Sequence, residues 1–301
     1  MSRIGKVNKR AIAVLICFAA LCAGQDRINS KIQGFNANIS LYAKNLQTGK
    51  SYNLRGDDPV RTASTIKLAI MVECFAEAAE GKLKLSELMG ITEDEKVSGS
   101  GILQELSAGD QLPIRDMIDL MIVLSDNTAT NLILNRISGN AVNARMAQLG
   151  FTQTRVMRKI LGDGNKLKPM PSGITDEGAK PENKKWGIGR TTPHEMVTIV
   201  EKLNRGELVS KSASEEMITI LKRQRDRDGI GRDMKDVEIA SKSGALDHLR
   251  SDVGIIYSKG GPVAVAITVE NMPEVNWSSD NPGLLLISSL SELLVDELNS
   301  K

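Results

Sequence analysis

Ser64–Glu80 reads STIKLAIMVECFAEAAE, and the rest of the chain is best understood outward from it. Residues 65–80 are rich in alanine and apolar almost all round, which predicts a helix buried inside a fold rather than lying on its surface. Lys67 is conspicuous there, because moving an unpaired ammonium out of water is costly and demands a partner or a function. Ser64 and Lys67 are three apart and share a helix face, so the amine can reach the hydroxyl and act on its proton. This is the only Ser-x-x-Lys in the 301 residues. A plainer reading also fits, in which Thr62, Ser64 or Thr65 caps the helix. Two matched residue types arise easily by accident, so the pattern needs partners elsewhere in the chain.

Around this helix the sequence changes period. Residues 37–54, ANISLYAKNLQTGKSYNL, alternate apolar and polar and break at Gln47-Thr48-Gly49, which predicts a β-hairpin. From Lys82 to about Leu208 the pattern is mostly helical, with apolar periodicity at 112–124, 128–137 and 193–204, and helical spacing resumes at 212–224. Between Arg158 and Thr191 lies a stretch rich in Gly, Pro and Lys with neither period, read as a long loop that is functional or mobile. Strand-like alternation returns at 237–243, 252–258 and 263–270, and a final helix is predicted at about 283–298. The expected fold class is α+β: an antiparallel β-sheet assembled from both chain ends and flanked by helices, plus an all-helical lobe. We place the sheet lobe at about 25–61 and 212–301 and the helical lobe at about 62–211, within one domain spanning 25–301.

Residues 1–24 carry Arg3, Lys6, Lys9 and Arg10 and then an uncharged, mostly apolar run from Ala11 to Gly24, which reads as an export signal. That run is short for a membrane span. The expected location is therefore periplasmic or secreted, with no stable span after cleavage and with a lipid on Cys22 as the minority alternative. Removing those four cations from 39 Lys+Arg, against 37 Asp+Glu, takes the net charge from +2 to −2. No basic stripe with interleaved aromatics remains, which argues against a nucleic-acid partner. Cys74 is left as a lone core thiol, and two histidines with no metal-ligand spacing exclude a zinc site from the expectations. No cofactor or metal is expected, and the chain is expected to be a monomer.

Two further motifs complement Ser64 and Lys67. Ser125-Asp126-Asn127 follows the helical run DMIDLMIVL, and Lys242-Ser243-Gly244 lies on a C-terminal strand pattern. Reaction at a carbonyl needs a nucleophile, a proton relay, a cation for an anionic substrate, and donors for the developing oxyanion. Ser64, Lys67 with Ser125, Lys242, and a strand edge near Gly244 supply these in order. A second Ser-Asp-Asn at 279–281 precedes Pro282 and reads as a helix cap, so the triplet alone is weak evidence.

In order and context, the three motifs resemble the signature set of class A β-lactamases and related penicillin-binding proteins. The resemblance implies that Ser64 attacks and is acylated, Lys67 relays the proton, and Ser125 passes it to the leaving nitrogen. It implies that Asn127 positions substrate or Lys67, that Ser243 and Gly244 line the substrate strand with Lys242, and that Lys242 and Ser243 hold a carboxylate. The backbone amides of Ser64 and Ala245 would form the oxyanion hole, and Arg250 would add positive charge near the carboxylate. The implied partner is a small β-lactam or a peptidoglycan peptide.

The resemblance breaks in the long loop. Class A enzymes carry a glutamate there that activates the deacylating water. Along Thr154–Ile160, with Arg158 as the loop-anchoring arginine, that position falls on Ile160. An aliphatic side chain cannot take a proton. Ser125 and Lys242 are also further apart in sequence than the family pattern, which implies an insertion. Asp163, Asp176, Glu177 and Glu182 lie in this loop, and Glu182, beside Asn183, is the candidate replacement base. His194 is expected in a first helical turn after Pro193, and His248 at the cleft rim. The leading expectation is an exported β-lactamase-like serine hydrolase with slow deacylation. A D-alanyl-D-alanine peptidase and a non-turnover binding protein are the alternatives.

Overall fold

The computed structural model describes residues 27–162 and 173–300. The expected export signal at 1–24, including Cys22, and the loop residue Asp163 lie outside them. Strands β1 (Asn38–Asn45), β2 (Ser51–Leu54), β8 (Ile239–Leu246), β9 (Leu249–Ser258) and β10 (Gly261–Glu270) form one antiparallel sheet in the order β2-β1-β10-β9-β8. The sheet is thus built from both chain ends, as the alternating segments require. The predicted hairpin closes on a turn in which Asn45 Oδ1 accepts from the amides of Gln47 and Thr48, both at 2.9 Å, and Gly49 takes a positive φ of 77°.

Both faces of this sheet are covered, and side-chain alternation shows how. On β10, Val263, Val265, Ile267 and Val269 join Ile39 and Leu41 of β1 under helix 282–299, which contributes Leu286, Ile287, Leu290, Leu294 and Leu298. Ala264 and Ala266 face the other way, where small side chains let helices approach closely. The closing helix begins as a cap should, with Asn281 Oδ1 accepting from Gly283 N at 2.8 Å and Pro282 in its first turn.

Residues 27–32 are helical, and the helices that follow are, in chain order, α1 (Lys67–Ala79), α2 (Ile114–Val123), α3 (Asn127–Ile137), α4 (Gly139–Gln148), α5 (Asp176–Ala179), α6 (Pro193–Arg205), α7 (Lys211–Lys222) and α8 (Pro282–Asn299). α6 lies on β10 and β1 and α7 on β8, while α1 packs against α2, α3 and α4. The first ten residues of α1 are all buried, Lys67 among them. Cys74 is a buried free thiol, and burial pushes its ionisation up.

The segment at 158–191, read from sequence as lacking either period, differs from that expectation. It contains α5, a 3-10 turn at Pro181–Trp186 and strand β7 (Gly189–Thr191). β7 is the middle of a three-stranded ribbon between β3 (Val60–Arg61) and β6 (Arg155–Val156). β3 leads directly into Ser64 and β6 into Ile160, so the ribbon ties the start of the Ser64 turn to the loop. A further pair, β4 (Leu88–Gly90) with β5 (Gln111–Pro113), closes the far side of the helical part.

Among the described residues no helix is long and apolar enough to cross a membrane.

Candidate active site

Ser64 stands in a 3-10 turn, Ala63–Ile66, that runs straight into α1. Ala63 has φ of 46°, a left-handed conformation that costs a non-glycine residue energy and that recurs at functional sites. Ser125 shares this conformation, at φ 56°. This turn aims both the carbonyl and the hydroxyl of Ser125 at Lys67, whose Nζ donates to Ser125 O at 2.7 Å, Ser125 Oγ at 3.2 Å and Asn127 Oδ1 at 3.0 Å. The buried ammonium therefore has the partners its position demanded. Burial first, and then repulsion from Lys242, hold the Lys67 amine well below its ordinary value, partly opposed by Asp126.

Lys242 approaches the same hydroxyl from the opposite strand, donating to Ser125 Oγ at 3.0 Å and to Ser243 O at 2.7 Å. Ser125 Oγ thus lies between two amines. β8, which carries Lys242-Ser243-Gly244-Ala245, is an edge strand of the main sheet. Gly244 fits against the Ser64 turn so closely that a Cβ there would lie 2.9 Å from both Ser64 N and Thr62 O. Backbone cannot yield as a flexible side chain can. Gly244→Ala is therefore expected to cost about 1–3 kcal/mol of stability by overpacking. It should also slow Ser64 acylation more than tenfold by displacing the turn, checked by thermal melting and acylation kinetics on one preparation.

The cleft in front of these groups has a volume of about 1410 Å³, and its lining includes Ser64, Ser125, Asn127, Ile160, Ser243 and Ala245. Asn131 fixes the Ile160 backbone from both sides, donating to Ile160 O and accepting from Ile160 N, each at 2.9 Å. Asp126 anchors the Ser125 turn: one carboxylate oxygen accepts from Ile102 N at 2.7 Å and Leu103 N at 2.9 Å, the other from Ala129 N at 2.8 Å. The sequence motifs assign no role to either residue. Their signals were present, since Asp126 occupies the N-cap of α3 and Asn131 lies one turn from Asn127 on the same helix.

A family model described as the β-lactamase enzyme family matches residues 24–298. The chain belongs to this family. The β-lactamase AER-1 of Aeromonas hydrophila is 24% identical over 249 residues, covering 80% of this chain and 76% of that protein. Among solved structures, a β-lactamase from Sphaerobacter thermophilus is 25% identical with a TM-score of 0.76, covering 93% of this chain and 97% of that one. A leucine-to-glutamate mutant of PBP-A, captured as an acyl-enzyme with penicillin G, is 26% identical with a TM-score of 0.74, covering 91% and 94%. Family membership and these likenesses make the chain a β-lactamase-like serine enzyme with the mixed α/β fold of that family.

Against the family pattern, the structure brings Ser64, Ser125, Asn127, Ser243, Gly244 and Ala245 together on one cleft, with Lys67 and Lys242 buried beside it. Glu182 is a correction: it is exposed in the 181–186 turn and outside the cleft lining, so an insertion carboxylate of the right type is not delivered to the site. Its neighbour Asn183 turns inward to Glu177, which pairs with Lys180 at 2.6 Å. Arg250 is a second correction. Its guanidinium donates to Leu246 O at 2.6 Å and Leu249 O at 2.7 Å, also bonds Asn276 O, and stacks over Trp277. Those donors clamp main chain rather than face a ligand. Arg158 bonds the Lys159 carbonyl at 3.0 Å and lines the cleft. His194 follows Pro193 in the first turn of α6 and meets Asp57 at 2.8 Å, while His248 lines the cleft and meets Met272 O at 2.8 Å.

Asp252 lies opposite Ser243 in the β8–β9 register. Its Oδ2 accepts from Ile230 N at 3.0 Å, and among the described residues its buried Oδ1 has no partner. Burial raises this carboxyl to about 7 from an ordinary 3.8. Between those values the folded chain holds a proton that the unfolded chain has lost, so this group's contribution to stability falls as pH rises and is lost above 7. Asp252→Asn should remove that trend. Chemical denaturation at pH 5 and pH 7.5 is expected to show a wild-type loss from this group on the order of 2 kcal/mol that the variant lacks.

Proposed function

We propose that this chain is an exported serine enzyme that opens β-lactams by acylation of Ser64 and releases the acyl group slowly. The observation that carries the reading is the Lys67–Ser125–Lys242 arrangement, with Ser64 and the aliphatic Ile160 lining the same cleft. Neutral Lys67 takes the Ser64 proton as Oγ attacks the lactam carbonyl. The amides of Ser64 and Ala245 receive the oxyanion. As the C–N bond breaks, Ser125, placed between the two amines, passes a proton to the leaving nitrogen. Ser243 faces the ligand from the edge strand with the Lys242 ammonium buried behind it, and Asn127 holds the Lys67 amine in place.

Intact-mass kinetics with penicillin G tests the reading in one time course. A Ser64 adduct that forms quickly and clears slowly supports it, and no adduct with a panel of penicillins and cephalosporins overturns it. The aliphatic Ile160 favours one second reading, a D-alanyl-D-alanine peptidase, which needs no glutamate at that position. Release of D-alanine from wall peptides would establish that activity. Export rests on residues 1–24, and a mature N-terminus near Gln25 is its check, whereas retention with membranes would indicate a lipid on Cys22.

A further inference from the structure

One carboxylate in the cleft has no place in that mechanism. Asp226 follows α7 and is carried to the cleft by contacts with the end of α2: Gln224 Nε2 donates to Ile122 O at 2.9 Å, and Arg225 N to Val123 O at 3.1 Å. Gln224 Oε1 then accepts from Asp226 N at 3.0 Å. Thus positioned, Asp226 Oδ2 accepts the hydroxyl of Ser243 at 2.7 Å. Its charge is felt by both Lys242 and Arg250. Ser243 is the group that would donate to a ligand carboxylate, and here its one proton is already given to an anion. Arg250 offers little compensation, since its N–H groups serve the carbonyls of residues 246, 249 and 276. A ligand carboxylate at this point would displace Asp226 from Ser243 and stand beside a like charge.

Resting on the acylation reading above, we propose that Asp226 is a specificity-determining residue, disfavouring ligands with a free carboxylate opposite Ser243 and favouring a neutral amide there. An amide is isosteric with the carboxylate, removes the repulsion, and can donate an N–H to Asp226 while its oxygen remains available to Lys242. The cleft lining contains one other carboxylate among the described residues, Asp247, which lies beyond Ala245 on the β8–β9 turn.

The test compares penicillin G with its carboxamide on three proteins: the wild type, Asp226→Asn and Asp226→Glu. Acylation rates are read by intact mass, and non-covalent affinities by calorimetry in the same proteins carrying Ser64→Ala. Asp226→Asn is expected to raise the acid-to-amide ratio roughly tenfold or more in both measurements, as removal of one like charge at close range predicts. Asp226→Glu, which keeps the charge, should leave the ratio near the wild-type value. Melting curves confirm that all variants are folded. An affinity ratio that stays within twofold on Asp226→Asn, or falls, overturns the proposal. The affinities do not depend on acylation. Absence of any Ser64 adduct with a shifted affinity ratio would therefore sink the enzymatic reading and leave this inference standing.

Discussion

Ile160→Glu is expected to speed release of the penicilloyl group from Ser64 by about 10²–10⁴-fold, the range over which a positioned general base acts. The prediction depends on the backbone rather than on the side chain. Asn131 grips both the amide and the carbonyl of Ile160, and the β6–β7 ribbon fixes the chain just before it, so a new side chain inherits a defined direction. Ile160 already lines the cleft beside Ser64. A carboxylate there can order and deprotonate a water against the ester carbonyl, a task for which the aliphatic residue has no atom. Acylation, which uses Lys67 and Ser125, should change less than tenfold. Single-turnover mass kinetics separates the two steps. Unchanged release in a folded variant would show that water access, not the missing base, limits turnover.

How much of this was legible in the sequence depends on the range of the interaction involved. The hairpin, the buried helix after Ser64, the three C-terminal strands and the capped last helix all announce themselves locally, through period, turn residues and caps. The ribbon of β3, β6 and β7 does not. Strands of two or three residues have no period, and their pairing joins Val60 to Thr191 and Arg155 to Arg190, across gaps that no local pattern spans. Yet this ribbon joins the segments that lead into Ser64 and Ile160.

The site divides in the same way. Ser64 and Lys67, or Ser125 and Asn127, are neighbours in sequence and could be read as motifs. Asp226 sits in the charged run QRDRDG, where Asp226 and Asp228 look alike as solvated loop acids. Only the Gln224 and Arg225 contacts with α2 select the first and turn it to Ser243. Glu182 and Arg250 fail for the converse reason. Their residue types suited the chemistry, but a carboxylate outside the cleft and a guanidinium filled by main-chain carbonyls cannot perform it.

Lys67→Met should slow acylation of Ser64 by roughly 10³-fold, through loss of the group that takes its proton. Lys67→Arg should not rescue it, because a guanidinium stays protonated and cannot act as a base. Structural loss alone predicts something different. Methionine leaves the Ser125 carbonyl and Asn127 Oδ1 without their donor, at about 1–3 kcal/mol, while relieving the cost of a buried ammonium. The net change in melting should therefore be small beside the kinetic loss. The pH profile gives the sharper discrimination. Acylation needs neutral Lys67, so its rate should climb with pH through the depressed Lys67 ionisation. It also needs charged Lys242, whose ammonium burial brings down to about 8 against the pull of Asp226 and Asp252. A carboxylate ligand should consequently lose rate above pH 8. Lys242→Arg should push that falling limb upward while leaving the rising one in place. A falling limb that stays near pH 8 in this variant would transfer the titration to another group and remove Lys242 from the anion-holding role.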